Sequence, residues 1–350
     1  QPRSDRYRTR IMANEIEKVN TIEITDIEKI MGKDDDDIEK LSGFEFAGIT
    51  FPAWANSRAV VAGGTQTAHA DLTRIQYKTV GATANTVNFG SLQTSRSQHQ
   101  CAGSNQTRGF FGGGSGRSGG SQIYGVSDTD YITVASTGDG SDFGDMDLES
   151  AYGGKCGASN GTLLFSAGGY SATASGNIDQ MEYYTIASTG NGTDAGNLSG
   201  SKSSPNSTNG DTRYIVSGGY SGGNVDIMEY NDFSTSANVT DFGDLSSGSN
   251  NNANACSTLR AVIHAPVIGS NVLEYVTVAS TGNSNDFGDL NTGRDALSGT
   301  SDGTTGEFFG GNDGNTTDEV DIITIGTTGN GTDVGDLMES NQESGALSGI

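Results

Sequence analysis

The chain has 350 residues, enough for one large all-β domain or two ordinary ones. It holds 53 Gly and only 4 Pro, is 33% hydrophobic, and carries a formal net charge of −24. So acidic a surface repels phosphate backbones, which argues against nucleic acid as a partner; it favours solubility in salty water, where screening weakens self-repulsion. No apolar run approaches the length of a transmembrane helix, so membrane insertion is not expected.

Residues 1–50 read as an arm distinct from the rest. "QPRSDRYRTR" sets Arg3, Arg6, Arg8 and Arg10 against a single Asp and lacks the apolar core of a secretory signal. Met12 opens "MANEIEK" and is a candidate start site, so Gln1–Ile11 reads as an extension. Then come "IEKVN" from Ile16, "IEKIMG" from Ile27 and "IEKLSG" from Ile38. These units predict short helical turns separated by "TIEITD" and "KDDDD". A piece this small does not bury a core of its own. The arm is therefore expected to dock on neighbouring subunits or a larger assembly, with the four arginines and Ile16, Ile27 and Ile38 as its assembly residues.

From residue 51 onward one phrase recurs. It reads "VASTGDGSDFGDM" at Val134–Met146, "IASTGNGTDAGNL" at Ile186–Leu198, "VASTGNSNDFGDL" at Val278–Leu290 and "IGTTGNGTDVGDL" at Ile325–Leu337. Its glycine falls at Gly90, Gly144, Gly196, Gly243, Gly288 and Gly335, at intervals of 54, 52, 47, 45 and 47 residues. So much Gly with Ser, Thr and Asn would suggest disorder, but a fixed period signals a repeat architecture. Each unit also carries a short apolar run ending in a Gly pair: "VVAGG" at Gly64, "GFFGG" at Gly113, "LFSAGG" at Gly169, "YIVSGG" at Gly219 and "EFFGG" at Gly311. The fifth unit departs, with Ala265 and Pro266 at that place. A second run follows, such as "DYITVAS" or "LEYVTVAS", then the STGN turn. The runs are rich in β-branched and aromatic residues and bounded by Gly, Asn, Asp and Ser, which is a strand-and-turn signature. They do not alternate cleanly, as suits strands buried on both faces.

The sixth unit predicts four strands: "DALSGTS" (295–301), "GEFFGG" (306–311), "EVDIITIG" (319–326) and "DVGDL" (333–337). Four strands per unit make a propeller blade. The repeats open at "RAVVAGG" (58–64), which matches a second strand, and finish at "ESGALSGI" (343–350), which matches a first. The expected fold is an all-β, six-bladed propeller over 51–350, in which the final segment supplies the missing strand of the first blade. The Gly pair and the STGN glycine are both expected at positive φ, with Asn or Asp bonding its own backbone.

No catalytic constellation is read. His69, His99 and His264 lie in different units without ligand spacing. Cys101, Cys156 and Cys256 precede second strands at similar offsets and read as small buried thiols. Asp139, Asp142, Asp145, Asn283, Asp286 and Asp289 offer oxygen ligands for Ca²⁺, but turn capping explains them as well, so no cofactor or metal is expected. "GFFGGGSGRSGGS" lacks the Lys-Ser/Thr ending of a phosphate loop. Tyr124, Tyr170 and Tyr220, in the loops after Gly pairs, are candidate surface contacts.

The order of apolar strand, Gly pair, Tyr-containing strand and terminal "DFGDL" resembles a Kelch motif, though Trp54 is the only Trp. More narrowly, "DYITVASTG…DFGDM" and "EYVTVASTGNSNDFGDL" resemble repeats in structural proteins of marine tailed bacteriophages; the arm is similar to segments of such proteins. The resemblance implies a Kelch-like propeller in a virion. There the chain would be a non-enzymatic tail-fibre, tail-associated or capsid-decoration component. Its partners would be other virion proteins through the arm, further copies of itself, and a host-surface glycan or protein. A carbohydrate-active enzyme on a propeller scaffold and a cellular surface adhesion protein are the alternatives.

Overall fold

The computed structural model describes residues 58–348, apart from 67–71, 98–100, 106, 119–120, 124, 151–155, 210–211, 252 and 265–268, together with six two-residue strands among the first 57. Two compact units divide the chain, Gln1–Ala53 and Trp54–Ile350.

In the first unit, Lys18–Val19 pairs with Ile22–Glu23, Lys29–Ile30 with Lys33–Asp34, and Lys40–Leu41 with Phe44–Glu45, all antiparallel. The expected helical turns are therefore replaced by three small hairpins. The physical reason lies in length and punctuation. A helix must fix a whole turn before its first hydrogen bond forms. Here only two residues separate each strand pair, and Asn20, Gly32 and Gly43 are among them, which suits two-residue hairpins instead. Arg3, Arg6, Arg8, Arg10, Ile16, Ile27 and Ile38 lie outside the described residues.

The second unit is a six-bladed β-propeller. Each blade is a four-stranded antiparallel meander. Blade 6 runs Ser298–Ser301, Thr305–Phe309, Glu319–Thr324 and Thr332–Asp336 from axis to rim, within a few residues of the sequence reading. The innermost strands, Gly345–Ser348, Cys101–Ser104, Cys156–Ser159, Asn206–Asn209, Ala253–Cys256 and Ser298–Ser301, contact one another in that order and close the circle. Blade 1 takes its innermost strand from the far end of the chain. Gly345, Ala346, Leu347 and Ser348 pair with Ala62, Val61, Val60 and Ala59.

The apolar core is six cores, one between each pair of neighbouring blades. Val60, Phe89 and Leu347 of blade 1 pack with Phe111, Ile132 and Val134 of blade 2. Ala59 and Val61 of blade 1 pack with Phe309, Val320 and Leu337 of blade 6 on the other side. Second strands such as Arg58–Ala62 are thus buried at four consecutive positions, which is why the sequence shows no alternation.

The Gly pairs adopt positive φ as expected: 63° and 99° at Gly63 and Gly64, 58° and 112° at Gly310 and Gly311. In blade 2 the pair is Gly113–Gly114, one residue later than "GFFGG" suggested, because Gly112 ends the strand. Ala265 and Pro266 lie outside the described residues.

A chain truncated before Ser344 would lack the inner strand of blade 1 and leave Val60 and Val61 at an open edge. Thermal melting followed by circular dichroism is expected to show loss of the cooperative transition; an unchanged midpoint would count against closure by this strand.

Candidate functional site

The repeated phrase is the joint between blades. In blade 2 the STG turn sends Gly138 N–H to Phe89 O (2.9 Å) and Gly140 N–H to Ser91 O (2.8 Å) of blade 1. Asp139 Oδ1 accepts from Ser91 N–H at 3.0 Å. The same side-chain bond recurs at every other interface: from Asp145 N–H to Asn191, Asn197 to Asn238, Asp244 to Asn283, Asp289 to Asn330, and Asp336 to Asn85. The Asn of the turn therefore bonds the neighbouring blade and not its own backbone, as the sequence suggested. Capping of the local backbone falls to the Asp before Phe-Gly, for example Asp142 Oδ1 accepting from Gly144 N–H at 3.1 Å.

Glycine is needed where the clasp closes. A Cβ on Gly90 would sit 2.1 Å from Gly138 O, and one on Gly243 2.4 Å from Gly282 O. Gly144, Gly243, Gly288 and Gly335 hold φ between 140° and 145°. Positive φ thus belongs to this glycine; among the STG glycines only Gly282 shows it.

A second joint is buried beneath the first. Gln76, Asp130, Glu182, Glu229, Glu274 and Asp321 share one register of the third strand, and all are buried. Each accepts the backbone N–H that follows the preceding blade's phrase: Met338, Gln93, Asp147, Ser199, Ser246 and Asn291, at 2.9–3.2 Å. Every second interface adds a cation. Arg96 meets Asp130 at 3.2 Å, Lys202 meets Glu229 at 2.6 Å, and Arg294 meets Asp321 at 3.0 Å. Each cation lies six residues past the clasp glycine, where the alternate units carry Ser150, Ser249 and Asn341. Burial pushes the Asp130 and Asp321 carboxyls up, against the pull of Arg96 and Arg294.

Six further cations of the propeller are also engaged. Arg58, Arg108, Arg213 and Arg260 lie over Tyr77, Tyr131, Tyr230 and Tyr275 at 4.3–4.7 Å. Each also donates to a carbonyl of the next blade, as Arg58 does to Val134 O at 2.9 Å. Arg74 pairs with Glu339, and buried Lys78 lies 3.1 Å from Glu307 across the seam between blades 1 and 6.

The axis is lined by small residues. A Cβ on Gly157 would come within 2.5 Å of Ala102 O, and one on Gly299 within 2.4 Å of Asn254 O. Ser159 donates to Ser104 O, Ser104 to Ser348 O, Ser348 to Ser301 O and Ser301 to Cys256 O, so hydroxyls hand bonds around the innermost strands. Cys101 and Cys156 open inner strands, whereas Cys256 closes one and is partly exposed. The three cysteines are therefore not at one equivalent position. Among the described residues, no three His, Cys, Asp or Glu side chains group as metal ligands.

His264 ends the second strand of blade 5, fully buried, with Nε2 donating to Ser270 O at 3.1 Å. Burial pushes its imidazole down to about 4. His69, His99 and Tyr124 lie outside the described residues. Tyr170 and Tyr220 follow the Gly pairs of adjacent blades 3 and 4, linked by Asn177 Nδ2 donating to Tyr220 O at 2.7 Å. Tyr220 is 44% exposed and Tyr170 half-buried. The sequence pointed to these tyrosines but not to the buried ion pairs, although a cation six residues past every second clasp glycine was a readable signal.

Lys78→Met leaves Glu307 buried without its cation and is expected to cost about 3–5 kcal/mol in denaturant unfolding, while adding Glu307→Leu recovers most of that loss. An imidazole held neutral in the fold lets the unfolded chain bind the extra proton as pH falls below about 6.5. His264 should thus remove roughly 2 kcal/mol of stability between pH 7 and pH 5, and unfolding of His264→Leu should lack that component.

No protein-family model matches the chain, and no curated protein matches it in sequence.

Proposed function

We propose that the chain is a non-enzymatic structural component of a virus particle: a rigid acidic propeller displayed outward and tethered to other virion proteins, or to further copies of itself, through the N-terminal arm. The reading covers tail-fibre, tail-associated and capsid-decoration roles. One observation carries it. The charged side chains described inside the ring are spent on joining blade to blade, which suits a durable body better than a reactive centre. The likeness of the clasp phrase to repeats in phage structural proteins adds the setting.

The face bearing the Gly-pair loops is the contact surface in this reading, with Tyr170 and Tyr220 as neighbouring aromatic anchors for a host glycan or protein. Antibodies against the propeller are expected to decorate purified particles in electron microscopy, and Tyr220→Ala to weaken binding of the full chain to host cells by about tenfold, the loss of one aromatic anchor. Unlabelled particles, or turnover of a glycan panel by the full chain, would overturn the reading.

A further inference from the structure

Four Asn-Gly dipeptides occur in the propeller: Asn160–Gly161, Asn191–Gly192, Asn209–Gly210 and Asn330–Gly331. This pairing is chemically labile, because a glycine amide carries no side chain to hinder approach to the preceding carboxamide. The glycine nitrogen attacks the Asn Cγ and gives up its proton to solvent. Ammonia leaves, and a five-membered imide forms. Water then opens the ring at either carbonyl, giving aspartate or isoaspartate. Gly210 lies outside the described residues, so three sites can be compared.

At two of them the clasp holds the attacking nitrogen, and the carboxamide oxygen is bonded as well. Gly192 N–H donates to Asp145 O at 2.9 Å, and Asn191 Oδ1 accepts from Asp145 N–H at 3.1 Å. Gly331 N–H donates to Asp289 O at 2.7 Å, and Asn330 Oδ1 accepts from Asp289 N–H at 3.1 Å. Attack would require the glycine nitrogen to leave its acceptor and swing away from the neighbouring blade.

Asn160 is placed differently. It sits exposed in the turn between Cys156–Ser159 and Leu163–Ala167. Its Oδ1 accepts from Thr162 N–H (3.0 Å) and Leu163 N–H (2.8 Å), which draws electron density from the carbon to be attacked. Gly161 N–H has no acceptor among the described residues. Gly161 holds φ +80°, and no atom lies within 4 Å of the place a Cβ would take. We infer that Asn160 is a site of spontaneous deamidation in the folded protein, and that the inter-blade clasp shields Asn191 and Asn330 from the same reaction. Asp139, which fills the equivalent clasp position in blade 2, shows that the joint accepts a carboxylate in place of the amide.

The test is peptide mapping of the folded full chain held in warm, mildly alkaline buffer. The peptide containing Asn160 should gain the mass of amide-to-acid conversion about tenfold faster than those containing Asn191 and Asn330, in line with breaking the glycine N–H hydrogen bond at the latter. In urea the three rates should converge. Gly161→Ala should slow conversion at Asn160 and leave the other two unchanged. The inference is overturned if Asn191 or Asn330 converts as fast as Asn160 in the folded chain. It is equally overturned if Asn160 keeps its amide while the unfolded chain loses it.

Discussion

The ring depends on one approach between backbones: the clasp glycine of each blade lies against the turn before the outer strand of the next, an STG turn or, at Ala237 and Ala84, its alanine counterpart. Contact this close has no room for a side chain, and it brings one or two backbone N–H groups and one Asn or Asp side chain within bonding distance of the outer strand. The outer strand of a blade would otherwise be a free sheet edge, which invites pairing with other chains. Here much of that edge is covered by the neighbouring blade. A single feature therefore sets the spacing of the sheets, satisfies edge groups and limits aggregation. It also explains why one phrase is written so often: both ends of each joint come from copies of the same segment.

Beneath the clasp, the buried acceptor of the third strand repeats six times, but its cation repeats three times. Arg96, Lys202 and Arg294 divide the circle into three stapled blade pairs. Where no cation is supplied, the chemistry changes to suit: Glu274 is bonded by the hydroxyls of Ser246 and Ser284, and blade 1 carries neutral Gln76. Such substitutions reflect the high cost of burying a carboxylate without compensating partners. The two periodicities superimposed on one ring indicate that blades are not interchangeable, even though their backbones follow one plan.

Much of the architecture was legible in the sequence because it depends on period and phase. The clasp glycines gave the number of blades, and the mismatch between "RAVVAGG" and "GALSGI" gave the closing strand. The Gly pairs were readable because positive φ leaves a compositional trace. What stayed hidden depends on which copy meets which. The Asn of the STG turn looks like a local cap until its partner on the next blade is seen. The arm misled for another reason: Ile-Glu-Lys favours a helix over a few residues, but a few residues are too short to hold one. Tyr170 and Tyr220 were singled out only by their place after the Gly pairs, whereas the buried pair Lys78–Glu307 joins positions over two hundred residues apart, and nothing local marks it.

The late position of Gly345–Ser348 bears on how the molecule is made. A ribosome delivers blade 1's second strand early and its inner strand only after all the other blades have emerged. During that interval Ala59–Ala62 has hydrogen-bonding groups with no neighbour on the axial side, and any association with another nascent chain would compete with the proper partner. The first blade to be synthesised is thus the last to be completed, and a product clipped before Gly345 carries a gap in the wheel.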